Sequence, residues 1–186
     1  MLEITGGILK GRKIMTTPRS VTRYTPNMVR KAVFDSIDIE KKSLLDICSG
    51  SGVISMEALS RGASEVIGID SSYKSIKTIK ENLKNLNINE RIKVYGKDFR
   101  IKIPQLLKNG YKFDYIFADP PFDRNYIRHI FDVLCRNVVL RDDGTLIIES
   151  SPKESSEIDK NLHDIFEITN KKKYGNVIIT FLKLMP

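Results

Sequence analysis

Ser43-Leu44-Leu45-Asp46-Ile47-Cys48-Ser49-Gly50-Ser51-Gly52-Val53 (SLLDICSGSGV, residues 43–53) decides the fold. A short apolar run enters a glycine turn, and a helical pattern, Val53–Ser60, leaves it. Gly50 and Gly52 let the backbone turn tightly and approach a ligand closely. The next strand, Glu65–Ile69 (EVIGI), ends at Asp70, eighteen residues beyond Gly52. A carboxylate there can accept both hydroxyls of an adenosine ribose, so the spacing marks an adenosine-containing cofactor. Asp46, ahead of the glycines, would repel a pyrophosphate but suits the cationic methionine end of S-adenosyl-L-methionine. The third glycine of a pyrophosphate loop is also missing.

Downstream, strands and helices alternate. Tyr73–Leu86 places Ile76, Ile79, Leu83 and Leu86 at helical spacing. Ile92–Tyr95 and Phe113–Ala118 read as strands, Tyr126–Asn137 as a helix and Thr145–Glu149 as a strand. Ile165–Lys173 and Val177–Leu182 read as two strands around Tyr174-Gly175-Asn176. Helices between strands imply a parallel sheet. The last pair, joined by a tight turn, must be antiparallel. The prediction is a Rossmann-like α/β fold of the class I S-adenosylmethionine-dependent methyltransferases. Its seven-stranded sheet is mostly parallel, with one antiparallel strand in a C-terminal hairpin. Residues 43–186 form this domain. Residues 1–42 form a basic N-terminal extension and helix belonging to the same unit.

Asp119-Pro120-Pro121-Phe122 lies at the carboxyl end of the fourth strand, where open parallel sheets hold ligands. Consecutive prolines hold the chain extended and remove two N–H donors. An amino group on an aromatic ring is a poor nucleophile because its lone pair is delocalised. The Asp119 carboxylate and the Pro120 carbonyl can take its two hydrogens and direct the lone pair at a methyl group. Phe122 offers a face for a base. Positioning carries such an in-line transfer, and neither a metal nor a covalent nucleophile is required. Cys48, Ser49 and Ser51 in the loop, and Ser71 beside Asp70, join the cofactor set. Asp98 can accept an adenine amino group and Phe99 can pack on its face, the reading preferred here over Asp98 as the cap of a helix.

The net charge is +8. Lys10, Arg12, Lys13, Arg19, Arg23, Arg30 and Lys31 stand against Glu3 alone in the first 31 residues, which therefore carry +6 of it. A basic segment on a near-neutral body suits a polyanion. Residues 1–26 read as irregular, with Pro26 in the first turn of a helix capped by Thr25 and running to about Ile37. No apolar run reaches the roughly 20 residues of a membrane helix. With no apolar signal core and two distant cysteines, Cys48 and Cys135, a cytoplasmic protein is expected; a monomer is the working expectation, on which the sequence is silent.

These segments together resemble the RsmD family of small-subunit ribosomal RNA guanine-N2 methyltransferases along nearly the whole chain. The likeness rests on Gly7–Lys13 with Arg23, Thr25, Val29, Arg30 and Phe34, on residues 46–63 with Glu57-Ala58-Leu59-Ser60-Arg61-Gly62-Ala63, on DPPF, and on Lys172-Lys173-Tyr174-Gly175. The chain departs from the family at Tyr24, where a proline is usual, and at Asn27, Met28, Cys48 and Ser55, the last two read as packing changes. The resemblance implies S-adenosyl-L-methionine as cofactor and N2 of a guanine in 16S RNA as target, free or within an assembling 30S particle. It implies RNA contacts at Lys10, Arg12, Lys13, Arg23, Thr25 and Arg30. Two other readings fit the same residues: an adenine-N6 methyltransferase, and a non-catalytic ribosome-assembly protein with a methyltransferase-like fold.

Overall fold

The computed structural model describes residues 1–17, 24–88, 91–160 and 165–186. In chain order the elements are β1 (Leu2–Glu3), a 3₁₀ turn (Gly7–Leu9), β2 (Lys13–Ile14), α1 (Asn27–Phe34), β3 (Ser43–Ile47), α2 (Val53–Ser60), β4 (Glu65–Asp70) and α3 (Tyr73–Asn85). There follow β5 (Ile92–Gly96), α4 (Phe99–Lys108), β6 (Phe113–Ala118), α5 (Tyr126–Arg136), β7 (Leu140–Ser150), α6 (Pro152–Lys160), β8 (Phe166–Tyr174) and β9 (Val177–Leu184).

The main sheet has seven strands in the order β5-β4-β3-β6-β7-β9-β8. Strand β9 runs antiparallel to both neighbours, and the remaining pairings are parallel. This is the class I methyltransferase fold, with its single reversed strand in the terminal hairpin. Strand β3 is buried along its whole length, as expected of a central parallel strand covered on both faces. Helices α1, α2 and α3 cover one face through Val29, Val33, Met56 and Ile79. Helices α4, α5 and α6 cover the other through Ile103, Leu106, Ile130 and Ile158. The winding reverses at β3, whose neighbours β4 and β6 lie on opposite sides. The crevice at the carboxyl ends of β3 and β6 is therefore the ligand position of this architecture. Among the described residues no helix is long and apolar enough to cross a membrane.

The N-terminal segment is more ordered than its sequence suggests. Strands β1 and β2 pair antiparallel, and α2 holds the turn between them. Glu57, fully buried, accepts from the Thr5 amide (2.8 Å), the Thr5 hydroxyl (2.6 Å) and Arg61 Nε (3.0 Å). The Ser60 hydroxyl donates to the Gly6 carbonyl (2.5 Å) and accepts from the Leu9 amide (2.9 Å). The distinctive Glu57–Ala63 stretch is thus a docking strip for the chain's own first residues. Its fit requires Gly7, whose φ is +74° and where a Cβ would fall 1.8 Å from the Ser60 carbonyl oxygen.

Three expectations are corrected. Helix α1 stops at Phe34, where the Asp35 and Ser36 amides bond to Lys31 and Val33 in a closing turn, rather than reaching Ile37. Thr25 does not cap it, because its hydroxyl is committed elsewhere; Pro26 occupies the cap position. Helix α6 occupies a stretch in which no helix was predicted, and α4 one for which the only helical signal was Asp98 as a cap.

Candidate cofactor and catalytic site

Leaving β3, the backbone turns through Cys48 (φ 62°), Gly50 (φ 57°) and Gly52 (φ 78°), all left-handed. At Gly52 a Cβ would also sit 3.1 Å from Ile79 Cγ1, so both conformation and space call for glycine. The Ser49 amide donates to the Ile69 carbonyl (3.0 Å) and its hydroxyl to the Asp46 carbonyl (2.9 Å), fixing the loop across β3 and β4.

Asp46 is buried, and one carboxylate oxygen accepts from both the amide (3.2 Å) and the hydroxyl (2.6 Å) of Ser55. Ser55, read from the sequence as a packing change, is therefore a hydrogen-bond partner of this acid. Burial pushes the Asp46 carboxyl up to about 7, and the charge of nearby Asp70 pushes the same way against the Ser55 bonds. Asp70, at the end of β4, accepts from the Gly50 amide and the Ser72 amide, both at 2.8 Å. Burial raises its carboxyl too, opposed by those two amides. Ser71 beside it is exposed.

Asp119 leaves β6 with its amide on the Ile47 carbonyl (3.3 Å), beside the glycine loop. The Pro120-Pro121-Phe122 turn that follows is pinned at its far end. The Asp123 amide donates to Glu154 (2.8 Å), the Ser151 amide donates to the same carboxylate (3.2 Å), and the Ser151 hydroxyl donates to Asp123 (3.2 Å). Phe122 is half-buried. Asp46, Cys48, Ser51 and Asp119 line one cleft, together with Tyr24 and Thr25 of the N-terminal segment. Burial pushes the Cys48 thiol up, and the charges of Asp70, Asp119 and Asp46 add to this, so the thiol stays protonated and is no nucleophile. The Ser51 hydroxyl is buried in this cleft with no hydrogen-bond partner among the described residues.

The remaining candidates divide. Asp98 caps α4, accepting from the Arg100 amide (2.8 Å), and the Arg100 guanidinium grips its carboxylate at 2.6 and 2.9 Å. That grip holds the Asp98 carboxyl below its usual range. Phe99, expected to face an adenine, is instead buried in the core, 6.3 Å from the Tyr126 ring centre. Lys10, Arg12 and Lys13 stand exposed around the β1–β2 turn, as an RNA contact requires. Arg23 lies outside the described residues. Thr25 and Arg30, expected to touch RNA, are buried. Arg30 is 0% exposed and donates to the carbonyls of Thr25 (2.6 Å) and Glu3 (2.5 Å) and to Asn27 Oδ1 (2.9 Å). Burial lowers its pKa, while the charges of Glu57 and Glu149 support the cation. It clamps the N-terminal segment from inside.

Glu149 escaped the sequence reading as a site residue. It is fully buried near the carboxyl end of β7 and accepts the Thr25 hydroxyl at 2.7 Å. The same hydroxyl lies 3.3 Å from Asp119. An acid near the end of a strand adjoining β6 was the available signal.

Comparison with known proteins places the chain in a family. The sequence profile of the family described as conserved hypothetical protein 95 matches residues 2–183. Ribosomal RNA small subunit methyltransferase D of Buchnera aphidicola from Acyrthosiphon pisum is 31% identical over 186 residues, covering 97% of this chain and 92% of its own. The Haemophilus influenzae protein of that name is 30% identical over 155 residues, covering 80% and 78%. Among solved structures, the Escherichia coli protein yhhF superposes with a TM-score of 0.83 at 24% identity, covering 98% of this chain and 97% of its own. The chain therefore belongs to the conserved hypothetical protein 95 family, the RsmD family.

Proposed function

We propose that the protein transfers a methyl group from S-adenosyl-L-methionine to the exocyclic N2 amino group of a guanine in small-subunit (16S) ribosomal RNA. The observation that carries this is the charge of the cleft. In a chain of net charge +8, the glycine loop is ringed by Asp46, Asp70 and Asp119. Such a ring rejects a pyrophosphate and favours a cationic sulfonium and ammonium. The orphaned Ser51 hydroxyl in the same cleft adds a polar group ready for a ligand. The donor set thus fits S-adenosyl-L-methionine, which supplies an electrophilic methyl when bound. Asp46 would face its charged methionine end and Asp70 its ribose.

The rest is positioning by the chain. Asp119 and the Pro120 carbonyl accept the two hydrogens of the target amine, and the pinned loop holds both acceptors rigid. Phe122 supplies a stacking face. The base has to leave its stack to reach a cleft at the carboxyl ends of the central strands. Lys10, Arg12 and Lys13 contact RNA phosphates. The small-subunit RNA target is supported by the relatives, which carry the name ribosomal RNA small subunit methyltransferase D.

The test is transfer of labelled methyl to small-subunit particles from cells lacking the protein, with DNA and unrelated RNA alongside and Asp119→Ala as control. N2-methylguanine in 16S RNA, absent with the variant, is the expected product. Methyladenine would move the target to adenine N6. Cofactor binding without transfer to any of these acceptors would sink the enzymatic reading.

A further inference from the structure

Helix α3 has a closed side and an open one. Ser75, Ile79, Asn82 and Leu83 are buried. Tyr73, Lys77, Lys80 and Lys84 stand at i, i+4, i+7 and i+11, which sets them on one stripe away from that side. All four are exposed, Tyr73 at 82%. Exposed lysines elsewhere meet acids, Lys93 with Glu65 (2.9 Å) and Lys171 with Asp159 (2.6 Å). Among the described residues no carboxylate pairs with the three lysines of the stripe. Glu81, exposed beside the stripe, is offset by the exposed Lys74.

The stripe joins two places already described. At its far end Arg12, one of the exposed cations of the β1–β2 turn, donates to the Asn85 carbonyl (3.4 Å), next to Lys84. At its near end the Ser72 amide bonds Asp70 (2.8 Å), whose carboxylate also takes the amide of Gly50, a lining residue of the cleft. The Asn82 side chain locks the three parts into one body. It accepts from the Met15 amide just beyond β2 (2.8 Å) and donates to the carbonyls of Met15 (2.9 Å) and Ser51 (3.2 Å). Tyr73 and Lys84 are about 16 Å apart along the helix, at roughly 1.5 Å per residue.

We infer that this stripe is a track for the RNA strand, which runs along α3 from the β1–β2 turn to the cleft. Lys77, Lys80 and Lys84 meet its phosphates, and Tyr73 stacks on an unpaired base beside the cleft. The inference rests on the RNA substrate proposed above. Cations repeated along a line suit a chain of repeated anions, and lysines with no acid to satisfy keep their charge for it. A solvated basic face has no use for an exposed aromatic ring in the same line, whereas a single-stranded nucleic acid does.

The experiment measures binding to small-subunit ribosomal RNA across salt concentrations, and steady-state methylation of small-subunit particles. The variants are the triple change Lys77→Gln, Lys80→Gln, Lys84→Gln, the same three lysines to Arg, and Tyr73→Ala. A triple change elsewhere, Lys108→Gln, Lys153→Gln, Lys183→Gln, removes the same charge from exposed positions outside α3. The α3 glutamine variant should lower the slope of log K against log salt by about 2 and raise KM about tenfold or more. Its kcat, melting temperature and cofactor Kd should stay near wild type, because the contacts bind substrate without taking part in the chemistry. The arginine variant should keep the wild-type slope, and so should the triple change outside α3. Tyr73→Ala should weaken RNA binding about fivefold or more with the slope unchanged. A wild-type slope in the α3 glutamine variant, or an equal fall in the variant changed elsewhere, overturns the inference while transfer by the wild type leaves the function standing. Absence of transfer by the wild type would instead overturn the reading of function, and this inference with it.

Discussion

Replacing Asp46 by asparagine should make the free protein more stable and the cofactor complex far weaker. Both effects come from one buried carboxylate. Its pKa in the folded chain is about 7, against 3.8 for the ordinary side chain. A group whose folded pKa is raised favours folding only while protonated. Its relative penalty begins as pH climbs past the unfolded value and is complete above the folded one. At 1.36 kcal/mol per unit, the gap amounts to about 4 kcal/mol above pH ~7 and almost nothing near pH ~4. Asparagine is shaped to relieve it. Both Ser55 bonds fall on the same Asp46 oxygen, which an amide oxygen can replace. Thermal unfolding of wild type and Asp46→Asn across that range should show a difference that grows with pH. It should reach roughly 5–15 °C in Tm at neutral pH and above for a chain of this size. Titration with S-adenosyl-L-methionine should show a Kd weakened about 10- to 100-fold, as expected for losing a charged partner. A variant no more stable than wild type at pH ~8, or a stability gap that ignores pH, would refute the burial argument.

Two further substitutions probe the N-terminal segment. Arg30→Met leaves the Thr25 and Glu3 carbonyls without their donor and takes a cation from beside Glu57 and Glu149. Denaturant unfolding should show a loss of about 3 kcal/mol or more, with faster amide exchange in residues 1–35; a loss below about 1 kcal/mol would mean Arg30 is no clamp. The combined change Lys10→Ala, Arg12→Ala, Lys13→Ala should leave stability nearly unchanged, since all three side chains are exposed. The slope of log K against log salt for RNA binding should fall by about 2, and an unchanged slope would place the phosphate contacts elsewhere.

What the sequence made legible is chemistry carried by neighbouring residues at strand ends. The glycine turn, Asp70 and the DPPF turn each lie within a few positions, and the topology brings them together by an ordinary rule of parallel sheets. Two helices were hidden for local reasons. Helix α4 carries Pro104 in its interior, a breaker by any sequence reading. Helix α6, PKESSEIDK, offers Ile158 as its only aliphatic core residue, and buries Glu154 and Ser155 as well. Its inner face is therefore largely polar, with a single aliphatic residue to mark it.

Charge was read less well than shape. Arg30 and Lys10 contribute equally to the basic count of the first 31 residues, yet Arg30 is sealed inside and Lys10 faces solvent. A guanidinium can bridge several carbonyls as readily as it can meet a phosphate. Only the positions of Glu3, Thr25 and Asn27 decide between these uses. The Thr25–Glu149 bond spans 124 residues, and neither partner lies in a motif that points to the other. Yet the same threonine hydroxyl lies 3.3 Å from Asp119, the acid proposed to hold the target amine. Arg30 bonds the carbonyls of both Glu3 in β1 and Thr25, so β1 and the Asp119 side of the cleft share one buried clamp. In the proposed reaction the basic segment would gather the substrate from a place braced against the acid that positions it.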